Sequence, residues 1–333
     1  MGDMTPAGHE IRIDHASAVH VAARTAKWLA ADLGLPAALP DRAAVVASEL
    51  ASNLDKHAKR GTVYVHPLLQ GTGVEITAVD HGPGMTDLQH CLADGNTTTG
   101  TLGVGLGAIR RMASEFVVTT APDGTLASAR IRAPDDSRGG HLDIAHLVLP
   151  VPGEERSGDV AAIAETDDGG TLLLVDGLGH GPAAADAACA AERAFHRDPT
   201  RPLPELMTAL HQALRHTRGA AVAVLRLRSG TASFWGVGNI TAAVLTDGHA
   251  RQLPSRPGVA GLRMDPSGRH DLAVPPGSTI VLHSDGVDCR WLLDSPTRAT
   301  LPPQLLAAGL IRDHRHLRDD AGVLVARTRE PSP

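Results

Sequence analysis

The 333-residue chain is long enough for two domains of ordinary size, and its 42% apolar content is that of a globular protein. Aromatic residues make up only 2%, so its cores have to be built from Ala, Val, Leu and Ile. A formal net charge of -6, with no Lys/Arg run longer than a pair such as Arg110-Arg111, argues against a nucleic-acid surface.

Cys91, Cys189 and Cys289 lie far apart without CxxC spacing, which fits a reducing compartment rather than a disulfide framework. The N-terminal segment has no apolar signal core, and no apolar run reaches the roughly 18 residues of a membrane span. A cytoplasmic location with no membrane partner is expected. The 18 histidines are scattered, and His314 with His316 lacks the i, i+4 pairing of a zinc helix.

In chain order, Ile11–Ile13 reads as a short strand. Val19, Ala22, Ala26, Leu29 and Leu33 then recur at helical spacing until Gly34 and Pro36 close the segment. A second helix is expected over about Asp41–His57, with Val46, Leu50 and Leu54 as its stripe. Strands Thr62–Leu69 and Val74–Asp80 follow, then a Gly-rich loop, Gly95–Gly107, leading into a helix near Leu106. Phe116–Thr120 and Leu126–Ile131 read as a hairpin around Pro122-Asp123-Gly124. An antiparallel sheet with helices on one face is an α+β sandwich.

Glu49 and Asn53 stand four residues apart on the second helix and so share one face. An Asn carbonyl can ligate Mg²⁺, and a Glu can take a proton from an attacking hydroxyl. Taken alone, the pair is more simply read as two surface polar residues. Asp80 ends a strand beside Gly82-Pro-Gly84, where backbone approaches a flat ligand closely and a carboxylate can accept from an adenine amine. The run Thr97–Gly107 brings glycines to a helix N-terminus, a cradle for phosphates. Its spacing is GxGxG and not the GxGxxG of a dinucleotide fold.

Together SELASNLDKHAKRG, AVDHGPGM and TLGVGLGAIRRMASEF resemble the N, G1 and G2 boxes of the GHKL ATPases, more narrowly the RsbT and RsbW group of anti-sigma and switch kinases. The resemblance covers residues 9–132 and implies a Bergerat α/β sandwich binding ATP with Mg²⁺. It implies Asn53 as the Mg²⁺ ligand, Glu49 as the base and Asp80 as the adenine contact with Gly82 and Gly84. Thr98, Gly103, Val104, Gly105, Leu106 and Gly107 would form the lid over the phosphates. Such kinases act on a Ser or Thr of a STAS-domain antagonist. Ser114 stands where many of them carry Asp, which bears on the choice of partner.

Residues 133–140 are polar and rich in breakers and read as a linker. Beyond it come short strands at Ala161–Glu165, Thr171–Asp176, Ala221–Arg228, Ala232–Val237, Thr279–Ser284 and Gly322–Ala326. Helices are expected near Pro182–Phe195, Leu203–Arg215 and Pro302–Ile311. The turn Asp167–Gly170 lies midway between Asp159 and Asp176, so a hairpin folded there sets the two carboxylates side by side at its open end. Two close carboxylates repel unless a cation sits between them. Asp285 and the pair Asp319-Asp320 also stand at strand ends. Each acid singly fits a turn or cap.

The ordered set GEERSGD, VDGLGHG, GVGNI, HSDGV and DDAGVLVA resembles the SpoIIE and RsbX branch of the 2C-type metal-dependent phosphatases, over residues 141–328. The resemblance implies a β-sandwich flanked by helices. It also implies two Mn²⁺ or Mg²⁺ ions held by Asp159, Asp176, Asp285, Asp319 and the Gly177 carbonyl, with Asp320 at the position of a further acid or amide. The whole chain is then expected to be a bifunctional switch regulator. It would dephosphorylate a STAS-type partner and phosphorylate or bind a partner in the same stress or sigma-factor circuit, possible partners including a sigma factor or a downstream phosphatase. Two alternatives stay open: an ATP-dependent module that sequesters its partner without phosphotransfer, and a phosphatase whose first domain senses nucleotide.

Overall fold

The computed structural model describes residues 6–36, 38–85, 88, 105–134, 140, 142–265, 268–294 and 300–329. The chain divides into two compact units, with Gly8–Ser137 in one and Arg138–Pro333 in the other. No described helix is long and apolar enough to cross a membrane.

In the first unit, β1 (His9–Ile13), β2 (Gly61–Pro67), β3 (Gly73–Val79), β4 (Glu115–Ala121) and β5 (Gly124–Arg132) form one antiparallel sheet in the order β1-β2-β3-β5-β4. Its helices are α1 (Ala16–Asp32), α2 (Leu39–His57) and α3 (Gly105–Met112). Alternation along the strands sends Val63, Val65, Val74, Ile76, Ala127, Ala129 and Ile131 toward one face. There they join Val46, Leu50 and Leu54 of α2, together with Leu106 and Ile109 of α3, in one core. The result is a two-layer α/β sandwich.

The other face of this sheet is polar and also buried. Glu75 on β3 lies across from Arg130 on β5 and from His66 on β2. Arg130 Nε donates to Glu75 Oε2 at 2.7 Å, and Ser128 Oγ donates to Glu75 Oε1 at 2.9 Å. Burial alone would raise the Glu75 pKa, but the Arg130 guanidinium, His66 and these hydrogen bonds hold it below the usual value. Burial lowers that of His66.

In the second unit one sheet runs β13-β10-β9-β8-β7, from β7 (Asp159–Thr166), β8 (Gly169–Gly177), β9 (Ala220–Arg228), β10 (Thr231–Val237) and β13 (Arg269–Ala273). The second runs β12-β11-β14-β15-β6, from β6 (Leu142–Leu149), β11 (Thr241–Thr246), β12 (His249–Leu253), β14 (Thr279–His283) and β15 (Ala321–Thr328). Strands β7 and β8 lie against β6 and β15, making a sandwich. Helices α4 (Pro182–Arg197) and α5 (Leu203–Leu214) cover the first sheet, and α6 (Pro303–His314) covers β6 and β15. Ala184, Ala187, Ala188, Ala191 and Ala194 give α4 a buried face of small side chains, the consequence of an aromatic-poor sequence. Strands β6, β11, β12 and β13 and a 3-10 helix at Cys289–Asp294 are additions to the elements expected from the sequence.

Glu75→Ala removes the nearest acid of a buried guanidinium and is expected to cost about 3 kcal/mol, measured as a lowered urea midpoint. Stability should also fall on acidification. His66 and Glu75 both have folded-state pKa values below their ordinary 6.5 and 4.5, so the unfolded chain binds protons first as pH drops. A urea midpoint that is lower at pH 5 than at pH 7 and falls further below pH 4.5 is the expected result. The Glu75→Ala, His66→Asn double variant should lose much of that dependence.

Candidate active site

Within the second unit, the β7–β8 hairpin turns through two residues, Asp167 and Asp168, between Thr166 and Gly169. Gly169 has φ +154°, and a side chain there would strike the Leu227 carbonyl, so the tight turn beside β9 requires glycine. The register that follows pairs Asp159 directly with Asp176 at the open end. From the other sheet, β14 runs into the turn Ser284–Val287, closed by Val287 N donating to Ser284 O at 3.2 Å, and this turn carries Asp285. Asp319 and Asp320 lead into β15. All five acids reach the same edge of the sandwich.

Their environment is repulsive. Burial, then the charges of Asp159, Asp285 and Asp319, push the Asp176 carboxyl up to about 10. Burial also raises Asp159 well above the usual range, against the pull of a 2.6 Å hydrogen bond from Ser284 Oγ, with Asp320, Asp285 and Asp319 adding to the rise. Asp319 and Asp320 are raised as well, first by burial. A side-chain hydrogen bond with Asp285 adds to the rise at Asp176.

Neighbours orient each acid. Ser284 Oγ donates to Asp159 Oδ2 and accepts from Gly322 N at 2.9 Å, tying β7, β14 and β15 together. Asn239 Nδ2 donates to Asp285 Oδ2. Asp320 accepts from Val151 N at 2.9 Å and Gly158 N at 2.8 Å, and Asp319 Oδ1 accepts from Asp320 N at 2.9 Å. Gly177 N donates to Gly158 O, and a side chain on Gly177 would strike the Ala184 carbonyl of α4. Behind Asp285, Trp291 Nε1 donates to His283 Nε2 at 3.0 Å, so the His283 Nδ1–H donates to Ser284 O at 2.8 Å. Burial lowers the His283 pKa to about 4, leaving it neutral.

Among the described residues no three acidic, His or Cys side chains converge in a geometry that holds one ion. The chemistry of the donor set nevertheless fits a divalent cation. All the donors are oxygens, the hard ligands that Mg²⁺ and Mn²⁺ take, and the raised pKa values show that ionised carboxylates are disfavoured there unless a cation is present. Asp159, Asp176, Asp285, Asp319 and the Gly177 carbonyl are the groups that could hold it. Ser284 and Asn239 were not singled out from the sequence, although each belongs to a quoted motif. Their signal was a hydroxyl or an amide at a strand end among acids.

In the first unit, Glu49 and Asn53 are both half-buried on α2. Asp80 is only 6% exposed, and its Oδ1 accepts from Gly82 N at 2.5 Å. Gly82 packs near His57 O and Ala58 Cα at the C-terminus of α2, so the Asp80 turn and this helix adjoin. Gly84 has φ +73°, and a side chain there would strike the Ala121 carbonyl. Gly105, Leu106 and Gly107 form the first turn of α3, which packs on α2. Thr98, Gly103 and Val104 lie outside the described residues.

Residues 11–131 match the family model of the histidine kinase-like ATPase domain, and residues 166–329 that of stage II sporulation protein E (SpoIIE). The serine/threonine-protein kinase RsbT of Bacillus subtilis (strain 168) is 34% identical over 100 residues, 29% of this chain and 75% of that protein. The chain belongs to the RsbT family. To its RsbT-like ATP-binding domain it adds a SpoIIE-type phosphatase domain. Asp159 lies seven residues before the stretch matched to SpoIIE. A chain from a structure titled as the bacterial stressosome, a modular system adapted to control secondary messenger signalling, superposes with a TM-score of 0.52. It is 27% identical, covering 56% of this chain and 99% of that one. RsbX in complex with magnesium superposes at 0.51 with 17% identity, covering 57% and 96%, and shares the fold.

If the acidic edge is a cation site, Asp176→Asn relieves repulsion in metal-free buffer. The folded pKa of Asp176 lies above its ordinary 3.8, so the metal-free protein loses stability as pH rises between that value and about 10. At pH 8 the variant is expected to melt about 3 °C or more above the metal-free wild type. The wild type should be stabilised by Mn²⁺, more so at pH 8 than at pH 6, because bound protons must leave first. A variant that melts lower and still responds fully to Mn²⁺ contradicts the assignment.

Proposed function

We propose that the chain is a cytoplasmic switch enzyme that sets the phosphorylation state of a STAS-type partner protein. Its domain at residues 141–328 removes phosphate from serine or threonine, and its domain at residues 9–132 binds ATP with Mg²⁺ and phosphorylates a partner in the same circuit. The observation that carries the reading is the pairing of Asp159 with Asp176 opposite Asp285 and Asp319 on one sandwich edge.

A pair of Mn²⁺ or Mg²⁺ ions bound there would supply charge neutralisation and a water made acidic enough to be a nucleophile at neutral pH. Asp159, Asp176, Asp285, Asp319 and the Gly177 carbonyl hold the site. Ser284 and Asn239 keep Asp159 and Asp285 aimed at it. In the hydrolysis, a water oxygen bonds to phosphorus, the bond from phosphorus to the serine or threonine oxygen breaks, and the leaving oxygen takes up a proton.

In the first domain Asp80 would accept the adenine amine and Asn53 would hold Mg²⁺. Glu49 would take the proton of the attacking hydroxyl. Gly82 and Gly84 would let the backbone approach the base, while Thr98, Gly103, Val104, Gly105, Leu106 and Gly107 would close over the phosphates.

Two measurements test the reading. Phosphate release from a phosphoserine peptide should require Mn²⁺ or Mg²⁺ and fall at least about a hundredfold in Asp176→Asn. No release with either metal would leave a binding fold and favour control by sequestration. Glu49→Gln should lower phosphotransfer from ATP to a STAS protein by about a hundredfold or more while sparing ATP binding. Unaltered phosphotransfer removes Glu49 from the role of base.

A further inference from the structure

Phosphoserine brings about -1.5 to -2 charges at neutral pH, and the edge where the aspartates gather is itself anionic. A cationic side chain at the rim is the natural complement to the substrate, and two nearby arginines are already engaged. Arg156 Nη2 bonds Asp186 at 3.0 Å, and Arg315 Nη2 donates to Pro150 O at 2.6 Å. Arg218 is exposed and has no hydrogen bond or ion pair among the described residues.

Backbone geometry fixes where Arg218 lies. The β8–β9 pairing ends with Gly177 opposite Ala220, and Leu178 N donates to Gly219 O at 3.1 Å just beyond it. Arg218 therefore comes up beside Gly179, where a Cβ would lie 3.5 Å from Arg218 Nη1. On its other side Gly179 borders the acids. Its carbonyl is 3.4 Å from the point where Gly158 would carry a Cβ, and that point is 2.8 Å from Asp320 Oδ2. One glycine thus separates the guanidinium from the acidic edge. Gly219 is held at φ +83° between Val259 and the Ala260 carbonyl, and its N–H donates to Thr217 Oγ1 at 3.0 Å, which restrains the segment bearing Arg218.

Two exposed apolar side chains flank the same spot. Leu178 is 44% exposed, and Leu262, at 62%, places Cγ 3.5 Å from the Cβ position of Gly219. We propose that Arg218 receives the phosphate of a phosphoserine- or phosphothreonine-bearing segment of a protein substrate, while Leu178 and Leu262 seat apolar residues beside it. A planar guanidinium suits this role because it binds two phosphate oxygens at once. The inference rests on the phosphatase reading above and names the group that recognises its substrate.

The test is steady-state hydrolysis of a phosphoserine peptide and of p-nitrophenyl phosphate with saturating Mn²⁺. Arg218→Ala is expected to raise KM for both about tenfold or more, with a smaller change in kcat, and Arg218→Lys to recover part of the loss. Inorganic phosphate should inhibit Arg218→Ala less strongly than wild type. The Leu178→Ala, Leu262→Ala double variant should raise KM for a peptide with apolar flanking residues more than for the aryl phosphate. An active wild type with KM and phosphate inhibition unaltered in Arg218→Ala overturns this inference alone. A wild type that releases no phosphate overturns the phosphatase reading and this inference with it.

Discussion

Mutual repulsion among buried carboxylates is the constraint on which the second unit is built. Asp159 and Asp176 face one another because a two-residue turn fixes their register, and that register depends on Gly169 lying flush against β9. Carboxylates so placed are stable only when a proton or a cation sits among them. Around them the chain has arranged donors: Ser284 to Asp159, Asn239 to Asp285, and backbone amides to Asp320. These bonds lower the cost of burial without cancelling it, and the high pKa of Asp176 is what remains.

The two units solve the problem of buried charge in opposite ways. In the first, Glu75 has a guanidinium at 2.7 Å and a serine hydroxyl at 2.9 Å, and its pKa falls. In the second, the acids have hydroxyl and amide donors but, among the described residues, no cation as a hydrogen-bond partner, and the pKa values of Asp159, Asp176, Asp319 and Asp320 rise. The first arrangement completes itself from within the chain and suits a structural role. The second leaves charge for something from outside, which is what a site requires.

Much of this was legible in the sequence because local rules dominated. The stripe Val46, Leu50, Leu54 gave α2, the breakers at 122–124 and 167–170 gave two hairpins, and midpoint counting across the second brought Asp159 to Asp176. Strands β11, β12 and β13 were less legible. His249–Leu253 and Arg269–Ala273 are largely exposed edge strands with little apolar pattern, and the second pairs with β10, a neighbour distant in sequence. Strand β6 was hidden by its proximity to the polar run at 133–140. The site's orienting groups were missed for a related reason. Ser284 reaches Asp159 across 125 residues and Asn239 reaches Asp285 across 46, distances over which sequence spacing carries no geometric information.

The scarcity of aromatic residues, which forced the cores to be built from small aliphatic side chains, also makes the protein easy to watch. Three tryptophans are present, each in a different setting. Trp28 is half-exposed on α1, Trp235 is buried in the core beneath α4 and α5, and Trp291 is fully buried. The indole of Trp291 is bonded to a neutral imidazole two residues from Asp285. The imidazole in turn donates to the Ser284 carbonyl, and the hydroxyl of that same residue holds Asp159, so the fluorophore stands two hydrogen bonds from a residue of the acidic edge. The fold carries its own optical gauge of that edge, and silencing Trp28 and Trp235 with phenylalanine would leave an emission spectrum that belongs to the site.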